Sequence, residues 1–446
     1  MAEWAVLFQN VVLKIKILNL FMFDLSEINY KKAVLVILTI LISIGIIVGI
    51  TYFVFVKKRL GPEANVNGGL PGGQLPGTGE GFNANIGGGG GQLPGVGSLN
   101  INGTIIESPP LDQYARGSNT VAQVISDSKV NNIAAMPGSN AVVYYDAENA
   151  KFYRYNDDGT TSLLSNKEFY SVEKVTWSKD RTRAIIEYPD DSKIFYDFVQ
   201  DKAVTLPKEV QDPAFSPNGE QLAYKYESSD PQNSWLVISK PDGTEAQRIE
   251  PIGDKGDQVQ VAWSPDNKVV ALYRASVSVS QEEVLPIGQN DENFKSLLVD
   301  GFYFQGAWNP NGSKLLYQVV SAASDYNPTL WVADANTDSL GSGKMSLGLN
   351  TTIDKCVFSS DNATVYCAVP TSMETGSGLA PDLRQDTNDV IYKIDLVTGL
   401  KNLIANPLTD QGQGNFSIGS LVLTKDEDSL VFWDEKNNQA YKIKLK

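Results

Sequence analysis

Five acidic residues recur at one place in a repeated pattern of this 446-residue chain, and they are its first candidates for chemistry. Each lies shortly before an apolar stretch that we predict to be the innermost strand of a repeat: Glu173, Asp212, Asp257, Asp300 and Asp354. If these connections meet at one end of a central channel, the carboxylates form an anionic mouth for a metal ion or a basic side chain. Aspartate is also a common turn former, so turns alone explain the same pattern.

The chain contains no histidine. A Ser-His-Asp triad, a Cys-His pair and a His-ligated metal site are therefore excluded. Carboxylate chemistry is not excluded, because a glycosidase needs only two Asp or Glu side chains at a suitable separation. No recognised catalytic motif is present, so the sequence favours a non-catalytic protein. We assign no catalytic, metal-binding or cofactor-binding residue and expect no cofactor.

Two cysteines, Cys356 and Cys367, lie on opposite arms of one predicted hairpin. A turn centred on Asp361 and Asn362 would place them directly opposite each other on one face of a sheet, where a small adjustment allows a disulfide. A disulfide would indicate an oxidising exterior. The alternative is a pair of reduced cysteines that pack as small apolar residues.

A hairpin motif is repeated through the C-terminal three quarters of the chain, and its clearest copy is Val261-Ala-Trp-Ser-Pro-Asp-Asn. An apolar strand is followed by Ser, Thr or Asn and then by a turn, because Pro presets one turn angle while Asp, Asn and Gly tolerate the others. Copies begin at residues 133, 175, 213, 261, 306, 356 and 421. Successive copies therefore begin 38 to 65 residues apart. Repeats of roughly 40–50 residues with four short strands each are typical of a β-propeller.

The repeat resembles the TolB-type, WD-repeat-like β-propeller family, whose blades carry an aromatic-Ser-Pro-Asp-Gly turn between their first and second strands. The resemblance extends over residues 121–446 and implies an all-β fold of seven four-stranded blades, with six or eight blades as the alternatives. It also implies a bacterial protein. It says little about function, because such propellers serve as scaffolds, receptors and enzyme domains.

The ends of the repeat region predict how the ring closes. The last repeat supplies only three strands, while an apolar segment at residues 121–126 precedes the first repeat. We expect this segment to be the outer strand of the last blade, which leaves no seam between the chain ends. Residues 276–293 and 371–389 exceed what a blade needs, and insertions of this kind usually carry binding surfaces.

Residues 33–56 form an uncharged apolar run with lysine and arginine on both sides. About 20 apolar residues are enough to cross a membrane as a helix. The run is too long and begins too late for a cleaved signal peptide, so it predicts an uncleaved signal anchor. The domain organisation follows as a cytoplasmic tail (1–32), a transmembrane helix (33–56), a flexible Gly/Pro-rich linker (57–118) and the propeller (119–446).

Charge is unevenly distributed along the chain. Residues 1–60 carry seven basic and three acidic side chains, whereas the whole chain has a net charge of −15, so the remainder is strongly acidic. An acidic surface repels phosphate backbones and argues against nucleic acid as a partner. It attracts cations, basic peptides or basic proteins, although solubility alone explains the same acidity. Basic residues flank the span on both sides, but the acidic C-terminal part, the long uncharged linker and the aromatic residues ending the span favour a propeller outside the cytoplasm.

The sequence therefore predicts a single-pass protein of the cell membrane with an extracytoplasmic propeller exposed at the cell surface. This propeller would act as a binding or scaffold module for a protein or another cell-envelope ligand. The alternatives are a carboxylate-based carbohydrate-active enzyme and a structural component of an envelope complex.

Overall fold

The computed structural model describes residues 99–101, 104–106, 111–336, 339–384 and 386–446. The chain divides into Met1–Gly90 and Gly91–Lys446, and the described residues all belong to the second unit. The predicted tail, the predicted membrane span and most of the predicted linker lie outside the described residues. In the described ranges, no helix has the length and apolar character needed to cross a membrane.

The described strands are numbered in chain order. Two short strands, β1 (Leu99–Ile101) and β2 (Thr104–Ile106), pair as a hairpin, and β3 (Ser118–Val121) and β4 (Gln123–Val124) follow. Blade 1 contains β5 (Val130–Ala135), β6 (Val142–Asp146), β7 (Lys151–Tyr155) and β8 (Thr161–Leu163). Blade 2 contains β9 (Lys174–Trp177), β10 (Arg183–Glu187), β11 (Lys193–Asp197) and β12 (Lys202–Leu206). Blade 3 contains β13 (Val210–Phe215), β14 (Leu222–Tyr226), β15 (Trp235–Ser239) and β16 (Gln247–Pro251).

The remaining four blades continue the same order. Blade 4 contains β17 (Val259–Val261), β18 (Val269–Ser278), β19 (Gln281–Gly288) and β20 (Leu297–Asp300). Blade 5 contains β21 (Phe302–Trp308), β22 (Lys314–Val320), β23 (Pro328–Asp334) and β24 (Met345–Asn350). Blade 6 contains β25 (Cys356–Phe358), β26 (Thr364–Pro370), β27 (Asp389–Asp395) and β28 (Lys401–Leu408). Blade 7 contains β29 (Ile418–Leu423), β30 (Ser429–Asp434), β31 (Gln439–Lys444) and β4. Short 3-10 helices occupy Pro231–Asn233, Gly256–Gln258, Ala322–Ser324, Ile353–Lys355 and Pro381–Arg384.

Each blade is an antiparallel meander, and together the blades form a seven-bladed propeller, as predicted. The first strand of each blade lines the central channel and the fourth lies at the rim. We use "upper face" for the side that carries the connections from the second to the third strand and from the fourth strand to the next blade. The "lower face" carries the other two kinds of connection.

Ring closure uses the predicted segment but involves two blades. β4 pairs antiparallel with β31 as the outer strand of blade 7, and Val124 lies opposite Tyr441. The prediction is confirmed, although the strand is shorter than residues 121–126. In addition, β3 pairs in parallel with β28, so blade 6 has a fifth strand. The N-terminal side of the propeller therefore holds the last two blades together.

The propeller also begins earlier than residue 119, the predicted boundary. Ala115 donates a backbone hydrogen bond to the carbonyl of Lys444, and Gly117 donates one to Ile404, both at 2.8 Å. Residues 111–118 are mixed in polarity and show no strand alternation, so the sequence pattern gave no sign of this pairing.

The hydrophobic core is divided into seven clusters, one at each boundary between neighbouring blades. Between blades 1 and 2, for example, Tyr145 and Phe152 pack with Ile186 and Tyr196. Between blades 7 and 1, Val431 packs against apolar residues of β5 and β6 in blade 1. Since each apolar face is covered by the next blade, the fold requires a closed ring.

The repeated motif closes the turn between the first two strands of a blade through a buried hydroxyl. In blade 4 the Ser264 hydroxyl donates to the carboxylate of Asp266 at 2.6 Å and accepts from the backbone N–H of Val269 at 2.9 Å. The neighbouring Trp263 donates from Nε1 to the carbonyl of Ala214 in blade 3 at 3.0 Å. The motif therefore fixes its own hairpin and connects that hairpin to the previous blade. The equivalent buried residues are Ser178, Ser216, Asn309, Ser359 and Thr424.

Replacing Ser264 by alanine should lower the free energy of unfolding by about 1–3 kcal/mol, because the buried Val269 N–H loses its acceptor. Urea unfolding of the purified protein measures this difference. Ser280→Ala, at an exposed hairpin tip, is the control and should change stability by less than about 0.5 kcal/mol. Equal effects of the two substitutions would show that the hydroxyl does not stabilise the turn.

Candidate functional site

The five carboxylates singled out in the sequence are all exposed and all lie at the upper face. Asp212 and Asp257 line one cavity of about 490 Å³ at the upper end of the channel. The other three are not part of this lining: Glu173, Asp300 and Asp354. Asp300 ends the rim strand β20, where its carboxylate accepts a hydrogen bond from Gln281 at 2.7 Å. The structure therefore brings two of the five together.

Basic side chains share this channel cavity. Lys174, Lys225 and Arg274 belong to its lining. Lys225 Nζ lies 2.7 Å from a carboxylate oxygen of Asp212, and Arg274 donates to the backbone carbonyl of Asp257 at 2.6 Å. The cavity thus carries both signs of charge. Within the residues that the structure describes, no cluster of three or more acidic or cysteine side chains is suited to hold a metal ion.

The Asp212–Lys225 pair is held in its charged form. Burial would raise the pKa of Asp212, but the hydrogen bond and positive charge of Lys225 outweigh burial, so the pKa of Asp212 is lowered. Burial would lower the pKa of Lys225, but the ion pair with Asp212 raises it instead. Asp212 is therefore ionised at neutral pH, and it is not suited to be the general acid of a glycosidase pair.

A further carboxylate, Glu187, lies near Lys174 but outside the cavity lining. Lys174 Nζ is 3.7 Å from Glu187 and 3.9 Å from Asp212. Burial raises the pKa of Glu187, although the charges of Lys174 and Lys193 oppose this rise. Lys174 therefore connects an acid of raised pKa to one of lowered pKa, and their side chains form a structural network across blades 2 and 3.

Exposed aromatic side chains form a second feature of the upper face, in blade 5. Phe302 packs against Tyr303, with ring centres 5.7 Å apart, and stacks on Tyr326 at 6.4 Å. The guanidinium of Arg274 lies 5.6 Å from the centre of the Tyr303 ring. Tyr303 and Tyr326 are 49% and 38% exposed. We refer to Phe302, Tyr303 and Tyr326 as the aromatic ridge.

Both tyrosines of the aromatic ridge have left-handed backbone conformations, with φ of 57° at each. Tyr303 is part of a β-bulge in the innermost strand β21. Similar bulges in blades 1 and 3 place Asn132 and Asp212 in this conformation. Asn and Asp adopt it readily, whereas a bulky aromatic residue does so rarely and at a cost of about 1–3 kcal/mol. Blade 5 thus holds strained aromatic residues at the surface.

Neighbouring blades stabilise this strained conformation. The buried carboxylate of Glu282, in blade 4, accepts from the backbone N–H groups of Tyr303 at 3.3 Å and Phe304 at 3.1 Å. On the other side, Gly378 of blade 6 donates to the carbonyl of Tyr326 at 2.9 Å. A Cβ atom at Gly378 would lie only 2.7 Å from that carbonyl oxygen, so glycine is required for this approach. The aromatic ridge is therefore preorganised.

The two predicted insertions lie on either side of blade 5. Most of residues 276–293 forms the extended β18–β19 hairpin rather than a loop, and Val279 at its tip is 97% exposed. Residues 371–388 connect β26 to β27 on the upper face and present Leu379 and Leu383 to solvent. Leu379 follows Gly378, which bonds Tyr326. The second insertion therefore extends the aromatic ridge with apolar side chains.

The aromatic ridge was not among the residues predicted from the sequence. The only local sign is the run Phe302-Tyr-Phe304, in which adjacent aromatic residues cannot all face one side of a strand. Phe304 is buried in the core, whereas Tyr303 is exposed. The left-handed backbone that turns Tyr303 outward depends on Glu282, a tertiary contact that periodicity does not reveal.

Cys356 and Cys367 form a disulfide between β25 and β26 in the structure. They are directly opposed in the strand register, and Phe358 lies opposite Val365, so the register predicted from a turn at residues 361 and 362 is confirmed. Cys367 is buried and packs in the cluster between blades 5 and 6. The pair is therefore part of the propeller wall, and its chemistry there is that of a structural cross-link.

No protein-family model matches the chain, and no curated protein matches it. Among solved structures, the β-propeller domain of Cps50 (Swd1) from Myceliophteria thermophila is similar with a TM-score of 0.51 and 8% sequence identity, covering 73% of this chain and 100% of that domain. The tricorn protease has a TM-score of 0.45 and 10% identity, covering 77% of this chain and 35% of that one. The similarity to the Cps50 domain shows the propeller fold alone.

Replacing Asp212 by asparagine should lower the free energy of unfolding at pH 7 by about 1 kcal/mol, since the partly exposed ion pair with Lys225 is lost. The folded-state pKa of Asp212 is lowered, so its stabilisation is present above the ordinary aspartate pKa of about 3.9 and disappears as the pH falls through the lowered value. Urea unfolding measures the free energy of unfolding of wild type and variant at pH 7 and at pH 3. The difference between the two proteins should be smaller at pH 3.

Asp257→Asn is the matched control, because Asp257 lines the same cavity and forms no ion pair within the described part of the chain. It should change stability by less than about 0.5 kcal/mol. A destabilisation by Asp212→Asn that is the same at both pH values would contradict the ion-pair interpretation.

Proposed function

We propose that this protein is a membrane-anchored, TolB-like propeller that binds a protein ligand outside the cytoplasm through its upper face. The observation that carries the proposal is the aromatic ridge. Tyrosine and arginine are enriched among the residues that contribute most to protein–protein binding. Here the guanidinium of Arg274 lies over the Tyr303 ring and Phe302 packs against both tyrosines, and side chains that already pack together lose less entropy on binding.

The anchor and the location rest on the sequence. An uncharged run at residues 33–56 has the length of a membrane-spanning helix, and basic residues flank it. The acidic C-terminal part and the long uncharged linker favour the exterior for the propeller. We propose that the Cys356–Cys367 pair is oxidised in the cell, which agrees with an oxidising compartment.

Binding accounts for the upper face better than catalysis does. A carboxylate-based glycosidase requires one protonated and one ionised carboxyl group that both reach the substrate. In the channel cavity, Asp212 is ionised and paired with Lys225. A ligand that covers the two strained tyrosines would instead explain why they are exposed on this face.

Photo-crosslinking in intact cells tests this proposal in one experiment. A photoreactive amino acid in place of Leu379, beside the aromatic ridge, should form a discrete adduct with a second protein after irradiation. A protease that cannot enter cells should then cut the Gly/Pro-rich linker and release that adduct into the medium. Immunoblotting for the propeller in the medium and in the cell fraction measures both events.

The same photoreactive residue in place of Val199 is the control, because Val199 is 76% exposed and lies in a lower-face turn. It should yield no adduct of that mass. Equal adducts from both positions would contradict the upper face as the binding surface. Protection of the propeller until the cells are lysed would contradict its location outside the cytoplasm.

A further inference from the structure

We infer that the ligand of the aromatic ridge is a basic protein segment in which aromatic or aliphatic residues alternate with or lie beside lysine and arginine. This inference rests on the proposed function and names the chemistry of its partner. It comes from the charges around the aromatic ridge, which differ in sign and pairing from those of the channel cavity.

Five exposed carboxylates lie close in the chain to the aromatic ridge or to Leu379 and Leu383, which extend it: Asp300, Asp325, Glu374, Asp382 and Asp386. Asp300 lies two residues before Phe302, and Asp325 directly precedes Tyr326. The other three belong to the second insertion, whose Gly376 donates to the carbonyl of Asp325 at 2.8 Å. We refer to these five carboxylates as the acidic rim, and to the two ridge tyrosines with Leu379 and Leu383 as the apolar centre.

None of these five rim carboxylates takes part in an ion pair with another residue in the described ranges of the chain. The two basic side chains nearby are Arg274, over the Tyr303 ring, and Arg384, next to Leu383. The rim thus has an excess of three negative charges. By contrast, the channel cavity pairs Asp212 with Lys225.

The apolar centre and the acidic rim match two different parts of such a ligand. Tyr303, Tyr326, Leu379 and Leu383 present carbon surface that aromatic or aliphatic side chains can cover. Lysine or arginine beside those side chains would face the unpaired carboxylates. An acidic segment would be repelled by the rim, and a neutral apolar segment would leave the rim uncompensated, so charge complementarity selects a basic partner.

The acidic rim and the apolar centre of the protein should control different rate constants of binding. Charges at a rim mainly accelerate association and are screened by salt, whereas contacts in a desolvated apolar centre mainly slow dissociation. Removing rim charges should therefore lower the association rate constant, and removing ridge rings should raise the dissociation rate constant. This division can be measured with any peptide that binds the aromatic ridge.

The probe is a phage-displayed library of random twelve-residue peptides, selected on the immobilised full-length protein and depleted on a Tyr303→Ser, Tyr326→Ser double variant. Peptides that survive depletion depend on the aromatic ridge. We expect them to have a net positive charge and at least one aromatic or large aliphatic residue. Circular dichroism and thermal unfolding verify that the double variant retains the propeller fold.

One enriched peptide is then synthesised and its binding kinetics are measured at low and high salt. The triple variant Asp300→Asn, Asp325→Asn, Asp382→Asn should lower the association rate constant about tenfold at low salt and leave the dissociation rate constant within about twofold. The control triple variant Asp158→Asn, Glu220→Gln, Glu245→Gln changes the net charge equally in turns of the lower face. This control variant should lower the association rate constant much less.

Three results would overturn the inference. Ridge-dependent peptides that are neutral or acidic on average would contradict a basic ligand while leaving protein binding at the upper face intact. Equal effects of the two triple variants would contradict the role of the acidic rim in the same way. The absence of any ridge-dependent peptide, together with no adduct at position 379 in cells, would contradict the proposed function itself.

Discussion

The apolar faces of each blade are buried only against its two neighbouring blades, and the rest of the structure depends on this constraint. The seven core clusters lie at the seven boundaries between blades, so a gap at any boundary would expose two apolar faces. Closure is therefore reinforced by β3, which adds to blade 6, and by β4, which completes blade 7. The result is a rigid ring whose upper-face connections start from fixed positions.

A rigid ring can hold local conformations that would be unstable alone. The left-handed conformations of Tyr303 and Tyr326 persist because Glu282 in blade 4 and Gly378 in blade 6 bond their backbone from either side. Blade 5 is thus held between its two neighbours, and both of those neighbours carry an insertion. Strain of this kind is characteristic of functional surfaces, where neighbouring structure compensates for its cost. The channel cavity differs, because Asp212, Lys174 and Lys225 in its lining already form ion pairs.

The sequence predicts repeated features well and single features poorly. The turn around Ser264 depends on neighbours within a few residues, so the motif reveals both the hairpins and their number. The opposed positions of Cys356 and Cys367 follow from the same local geometry. By contrast, Asp257 and Asp300 occupy similar positions before a strand. Asp257 nevertheless lines the channel, whereas Asp300 ends β20, the outer strand of blade 4. The exposure of Tyr303 was not predicted, because its orientation depends on Glu282, 21 residues away.

If neighbouring blades preorganise the aromatic ridge for binding, weakening their support should weaken binding. The measurement is the affinity of a ridge-dependent peptide for a Glu282→Gln variant, because Glu282 is buried and does not itself contact the ligand. Glutamine keeps the size of the side chain but replaces one acceptor of the Tyr303 and Phe304 N–H groups with a donor. We expect the affinity to fall about tenfold while the propeller remains folded. An unchanged affinity would show that the ridge does not depend on this support.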